Sequence, residues 1–116
     1  MLVAKNAIEV LQNSKDENLY SKLVAQINKD FQLSNLYFSF EENISPIQLK
    51  EDFTTILSNL ITNKYDDYLN FVYRVDVSES ELLKIKEKDL PEIVDQIVFL
   101  VLKREFQKVW FKQNFK

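Results

Sequence analysis

The chain has no cysteine, no histidine and no glycine, and two prolines in 116 residues. Each absence removes a chemistry. Without cysteine there are no disulfides, no thiolate metal sites and no thiol nucleophile. Without histidine the commonest general base near neutral pH and the commonest metal ligand are missing. Without glycine neither a phosphate-binding P-loop nor a dinucleotide fingerprint can be written. The sequence therefore predicts no catalytic residue, no metal site and no cofactor. Glycine's absence also bears on the fold, because two-residue hairpins want Asn-Gly, Asp-Gly or Gly-Gly.

Long apolar runs are missing too. The longest, Ile97 to Leu102, is far short of a membrane span. The start of the chain, Met1-Leu2-Val3-Ala4-Lys5-Asn6, lacks a basic region followed by an apolar core, so no secretory signal is expected and the cytoplasm is the expected location. Hydrophobic residues make up 46% and charged residues 28%, a globular balance that fits one domain over 1–116. Lysine outnumbers arginine 13 to 2, and Asn and Ile are frequent. AT-rich codons encode that bias, which points to an AT-rich genome.

Net charge is −3, which disfavours a general nucleic-acid binder. The charge is unevenly spread. Residues 103–116 hold five basic side chains and one acidic, whereas the first 102 hold 10 basic and 17 acidic. An acidic body thus carries a basic terminal helix.

Periodicity predicts helices over about Leu2–Gln12 and Glu17–Gln32, the second with Leu19, Leu23, Val24, Ile27 and Phe31 on one face. Residues 36–40 alternate with a period of two, a short strand or an aromatic-rich loop, and the loop is favoured because an isolated strand needs a partner. Ser45, Pro46 and Gln48 form a helix-start signal flanked by Ile44 and Leu49 as a hydrophobic staple, and helix three runs to about Thr62. Helix four is expected from about Lys64 to Val75, in competition with a strand over 71–77. Ser78 and Glu81 form a second capping box opening a short helix to about Glu87. Asp89 and Pro91 open helix six, expected to reach about Gln113. Asn13, Asn63 and Asn114 are placed to end helices in the left-handed conformation. The expected fold is an all-α, single-domain bundle of five or six helices with the last one central.

Paired acids at Glu41-Glu42, Glu51-Asp52 and Asp66-Asp67 cannot converge, since helical neighbours diverge by about 100°. Asp76, Glu79 and Glu81 could hold a hard cation, but Glu81 is better explained as a cap. Arg74 and Arg104 offer planar forks for an anion or partner, or for an internal carboxylate. In helix six, Leu90, Ile93, Val94, Ile97, Leu100 and Val101 make one apolar face, and Phe99, Leu102, Phe106, Val109 and Trp110 make another. A helix apolar on two sides is either the centre of a bundle or buries one side in a partner.

The phrases Tyr73-Arg74-Val75-Asp76-Val77-Ser78-Glu79 and Leu102-Lys103-Arg104-Glu105-Phe106-Gln107-Lys108 resemble a pattern in small, uncharacterised helical proteins of the Bacteroidetes. The resemblance implies a helical fold and a bacterial source, and it transfers no activity.

These features point to a non-enzymatic protein–protein interaction module, either a homodimer or a small acidic regulator. The candidate contact residues are Phe99, Leu102, Arg104, Phe106, Lys108 and Trp110. A nucleic-acid-associated protein using the basic terminal helix is the alternative.

Overall fold

The computed structural model describes residues 4–86 and 89–115. It contains six helices: α1 (Ala7–Asp16), α2 (Tyr20–Leu33), α3 (Pro46–Asn63), α4 (Tyr65–Val75), α5 (Glu79–Leu83) and α6 (Leu90–Asn114). No strand occurs among the described residues. Helix α6 touches all five others, so the last helix is the centre of an all-α bundle, as its pattern suggests.

Three chain reversals need a left-handed residue, and with no glycine they fall to Asn18, Asn35 and Asp76. All three ends have the same bonding. After α1, Leu19 N–H donates to Ser14 and Asn18 N–H to Lys15. After α2, Leu36 N–H donates to Phe31 and Asn35 N–H to Gln32. After α4, Val77 N–H donates to Val72 and Asp76 N–H to Tyr73. Each is the paired pattern that satisfies two orphan carbonyls, and each is followed by a buried apolar residue: Leu19, Leu36 or Val77. Asn13, Asn63 and Asn114 do not take this role: Asn13 lies inside α1, and Asn63 and Asn114 are the last residues of their helices.

The first helix starts later than its apolar pattern suggests. Asn6 is the N-cap: its side chain accepts from Glu9 N–H at 2.9 Å, and Glu9 reaches back to Lys5 N–H at 3.1 Å. Leu2 and Val3, expected in this helix, lie outside the described residues, as does Glu87, the expected end of helix five.

Residues 36–40 form the loop. Leu36 and Phe40 point inward and Tyr37 outward, but Phe38 is 37% exposed, so the alternation holds only at the two ends, and the partner is a side chain instead of a strand. Asn28 on α2 donates to Phe40 C=O at 2.9 Å and accepts from Phe40 N–H at 2.8 Å. This anchors a ring cluster in which Phe31 stacks on Phe71 at 4.8 Å and meets Phe53 edge-on at 5.6 Å. Residues 71–75 are helical, the end of α4.

The two serine caps differ. Ser45 accepts from Gln48 N–H at 3.2 Å, as expected, although Gln48 itself reaches forward to Asp52. Ser78 makes no cap bond; its hydroxyl pairs with Ser80 at 2.8 Å, and Glu81 pairs with Lys84. Helix α5 is a single exposed turn, too short to hold the reciprocal box. Ser45→Ala should therefore cost about 0.5–2 kcal/mol, and Ser78→Ala less than about 0.5 kcal/mol. Urea denaturation of both variants checks this; equal losses would contradict it.

Candidate functional site: the seam between α2 and α6

The buried residues of α6 are Val94, Ile97, Val98, Val101, Leu102, Glu105, Phe106 and Val109. They recur at steps of three and four and make one stripe, not two opposite faces. Leu102 is 0% and Phe106 1% exposed. Both are covered by the chain's own helices, and neither is available to a partner, contrary to their expected place at a contact surface. Phe99 and Trp110 lie half-buried on the flanks of the stripe and pack against the core.

Two basic residues of α6, Arg104 and Lys108, are also turned inward, while Lys103 and Lys112 are exposed. Arg104 grips the end of α4: its Nε donates to Asp76 C=O at 3.1 Å and its guanidinium meets the Asp76 carboxylate at 3.1 Å. It is thus an internal clamp. Arg74, by contrast, is exposed and forms no ion pair among the described residues. Asp76, Glu79 and Glu81 do not converge, because they turn to Arg104, Tyr73 and Lys84 respectively.

Lys108 leads to the most unusual group in the molecule. Its ammonium donates to Asp30 Oδ2 at 2.6 Å and to Val75 C=O at 3.2 Å, tying α6 to α2 and α4. It also sits 2.9 Å from Glu105 Oε1. That approach is too oblique to give either Glu105 oxygen a directed hydrogen bond. Glu105 is fully buried in the middle of the apolar stripe. A protonated carboxyl group resolves the mismatch, since its O–H can donate to Asp30. Burial above all, then the hydrogen bond to Asp30 and that residue's negative charge, push Glu105 up from the ordinary carboxyl value of 4.5 to about 9, with Lys108 acting in the opposite direction.

The sign of the resulting pH dependence is definite. Below pH 4.5 both folded and unfolded chains hold the Glu105 proton, and the stabilisation is fully present. Between 4.5 and about 9 only the folded chain holds it, so stability falls as pH rises, and the fall ends above about 9. Glu105→Gln keeps the shape and a neutral donor, and so removes this contribution. Its stability advantage over the wild type should grow by about 1.4 kcal/mol per pH unit in that window. Urea melts at pH 5, 6 and 7 test this; a constant difference would contradict it.

Two converging carboxyl groups are the raw material of acid–base catalysis, but these are sealed. Asp30 is 2% exposed. Neither acid lines the surface depressions at Asp76–Arg104, Leu33–Arg74 or Pro91–Gln96.

A polar chain leads from the buried pair to the surface. Gln26 donates to Asp30 Oδ2 at 3.4 Å and accepts from Lys112 Nζ at 3.1 Å. Lys112 stands on the wall of a groove of about 340 Å³ between α2 and the end of α6. Lys22, Ala25 and Lys29 line its α2 side, and Val109 and Gln113 its α6 side. Residues 22, 25, 26 and 29 share one face of α2 by helical spacing, as do 109, 112 and 113 on α6. The groove was legible only in part: the basic end of α6 shows in the charge distribution, but the facing lysines of α2 are dispersed in the sequence.

Beyond the groove, α6 ends in three aromatic rings. Trp110 meets Phe111 edge-on at 5.5 Å and Phe115 at 5.9 Å, and Phe111 stacks on Phe115 at 5.4 Å. Trp110 Nε1 donates to Glu17 at 3.3 Å, while Phe111 is 46% and Phe115 68% exposed. Asn114 donates its side-chain amide to Trp110 C=O and Phe115 N–H bonds to Phe111 C=O, which holds the rings together. No helix among the described residues is long and apolar enough to cross a membrane. Set against protein-family models, curated proteins and solved structures, the chain matches none.

Proposed function

We propose that this chain is a non-enzymatic protein–protein interaction module that docks an acidic partner with the last turns of α6. The observation that supports this reading is the ring cluster at the end of α6, with Phe111 and Phe115 exposed beside half-buried Trp110. Aromatic side chains bring large apolar area at low entropic cost, and Trp in particular dominates binding energy at interfaces. The contact surface moves from Leu102 and Phe106 to the end of the same helix. The same end of α6 carries Lys112, which lines the groove against α2 together with Lys22. An isologous pair would set this basic end against itself, so a different, acidic protein fits better than a second copy. The setting that goes with it is the cytoplasm of an AT-rich bacterium, from the lysine-rich composition and the resemblance of residues 73–79 and 102–108.

Replacing Phe111 and Phe115 together by serine tests it. Both side chains are largely exposed, so the variant should keep the wild-type circular dichroism spectrum and melting temperature within a few degrees. In a pull-down from the source cell, proteins captured by the wild type should be lost. Capture of the same proteins in the same amounts would overturn the reading.

A further inference from the structure

We infer that the groove between α2 and α6 receives a short acidic segment of the partner protein, with one aliphatic side chain seated between two acids. The inference rests on the docking reading above only in taking the occupant to be a protein.

Charge is the first ground. Lys22, Lys29 and Lys112 line one groove, and none forms an ion pair among the described residues. Two of them are held by neutral amides instead: Lys22 donates to Gln113, and Lys112 to Gln26 at 3.1 Å. An amide fixes an ammonium group in place without cancelling its charge. The chain as a whole is acidic at −3 and has carboxylates to spare, yet none of the groove's lining residues is acidic. A cluster of oriented, uncompensated ammonium groups attracts carboxylates and disfavours cations.

Shape is the second ground. The groove is open along one side, so it cannot enclose most of a small ligand's surface as small-molecule pockets do. An elongated chain suits it better. Lys22 and Lys29 are seven residues apart, about 10 Å along the α2 axis. In an extended segment, side chains at the first, third and fifth positions share one face, with the outer two about 13 Å apart. Lysine stems cover the difference. Acids at the first and fifth positions then meet Lys22 and Lys29, with Lys112 on the opposite wall. The third side chain falls on Ala25 and Val109, the apolar floor.

The probe is an end-blocked pentapeptide, Glu-Ser-Leu-Ser-Glu, titrated at low salt into the isotope-labelled full chain and followed by amide chemical shifts. Saturable shifts are expected at Ala25, Gln26, Lys29 and Val109 through Gln113. The double variant Lys22→Glu, Lys29→Glu, both exposed positions, should stay folded and bind at least tenfold more weakly. A peptide with serine for leucine should also bind several-fold more weakly. No saturable shift with the parent peptide would overturn the inference. So would equal binding of the serine peptide, or tighter binding of a thymidine pentanucleotide, because a bare positive field would then suffice. The ring variant Phe111→Ser, Phe115→Ser should bind the peptide as the wild type does. Failure of the wild-type chain to bind the peptide thus counts against the groove, and partner capture indifferent to the rings counts against the docking reading.

Discussion

Lys108→Met is expected to destabilise the domain by about 3–5 kcal/mol, the usual cost of removing one partner from a buried ion pair. Methionine replaces much of the lysine stem, so lost packing is a small part of the effect. The main part is electrostatic. Asp30, 2% exposed, would keep the Glu105 O–H and the long amide contact from Gln26 at 3.4 Å but lose the ammonium that balances its charge, and the Val75 carbonyl would lose its ammonium donor. Total stabilities of small domains are about 5–15 kcal/mol, so a loss of this size leaves a marginal protein. The double variant Asp30→Asn, Lys108→Met removes the stranded charge and should recover a large share of the loss. Equilibrium urea denaturation of the single and double variants gives the coupling between the two positions. A single-variant loss below about 1 kcal/mol would mean that the contact behaves like a surface ion pair.

Phe106→Glu should prevent folding altogether. The ring is 1% exposed in the core, so a carboxylate in its place would be taken out of water. Burying an unpaired charge, with the loss of a large apolar side chain, exceeds the stability of an average domain. Phe111→Glu, five residues on, should leave the fold intact, because that ring is 46% exposed. Circular dichroism and size-exclusion chromatography distinguish the two. A folded Phe106→Glu variant with altered self-association would return Phe106 to the role of a contact residue.

The all-helical class and the Ser45 start were legible because each rests on local rules: period, capping and the missing hairpin glycine; the central last helix was expected from two apolar faces, where the structure has one broad stripe. The start of α1 was legible too, in Asn6 and Glu9, but the apolar Leu2 and Val3 drew the boundary toward the chain start. The helix ends were legible in kind and misplaced in position. At all three reversals, Asn18-Leu19, Asn35-Leu36 and Asp76-Val77, an Asn or Asp precedes a buried apolar residue, but the same kind of pair lies inside helices at Asn59-Leu60 and Asn70-Phe71 and occurs at Asn114-Phe115, so local sequence does not single the ends out.

The buried carboxyl pair needed the structure. Glu105 stands four residues after Val101 and four before Val109, a core position by helical spacing. Dividing α6 into two apolar faces hid that, and the glutamate passed for one more surface charge among the lysines. Its partner Asp30 lies 75 residues earlier on another helix, and no local rule pairs them. Tertiary packing alone brings α2, α4 and α6 together at Lys108.

The most direct measurement is the titration of Glu105 itself. The side-chain carboxyl carbon, labelled with carbon-13, can be followed by NMR from pH 3 to 10 and assigned with the Glu105→Gln variant. A proton held inside the seam at neutral pH requires a midpoint well above 7, and the burial of Glu105 places it at about 9. A midpoint near the ordinary value of 4.5 would show an ionised, hydrated Glu105 and a seam packed differently from the one described.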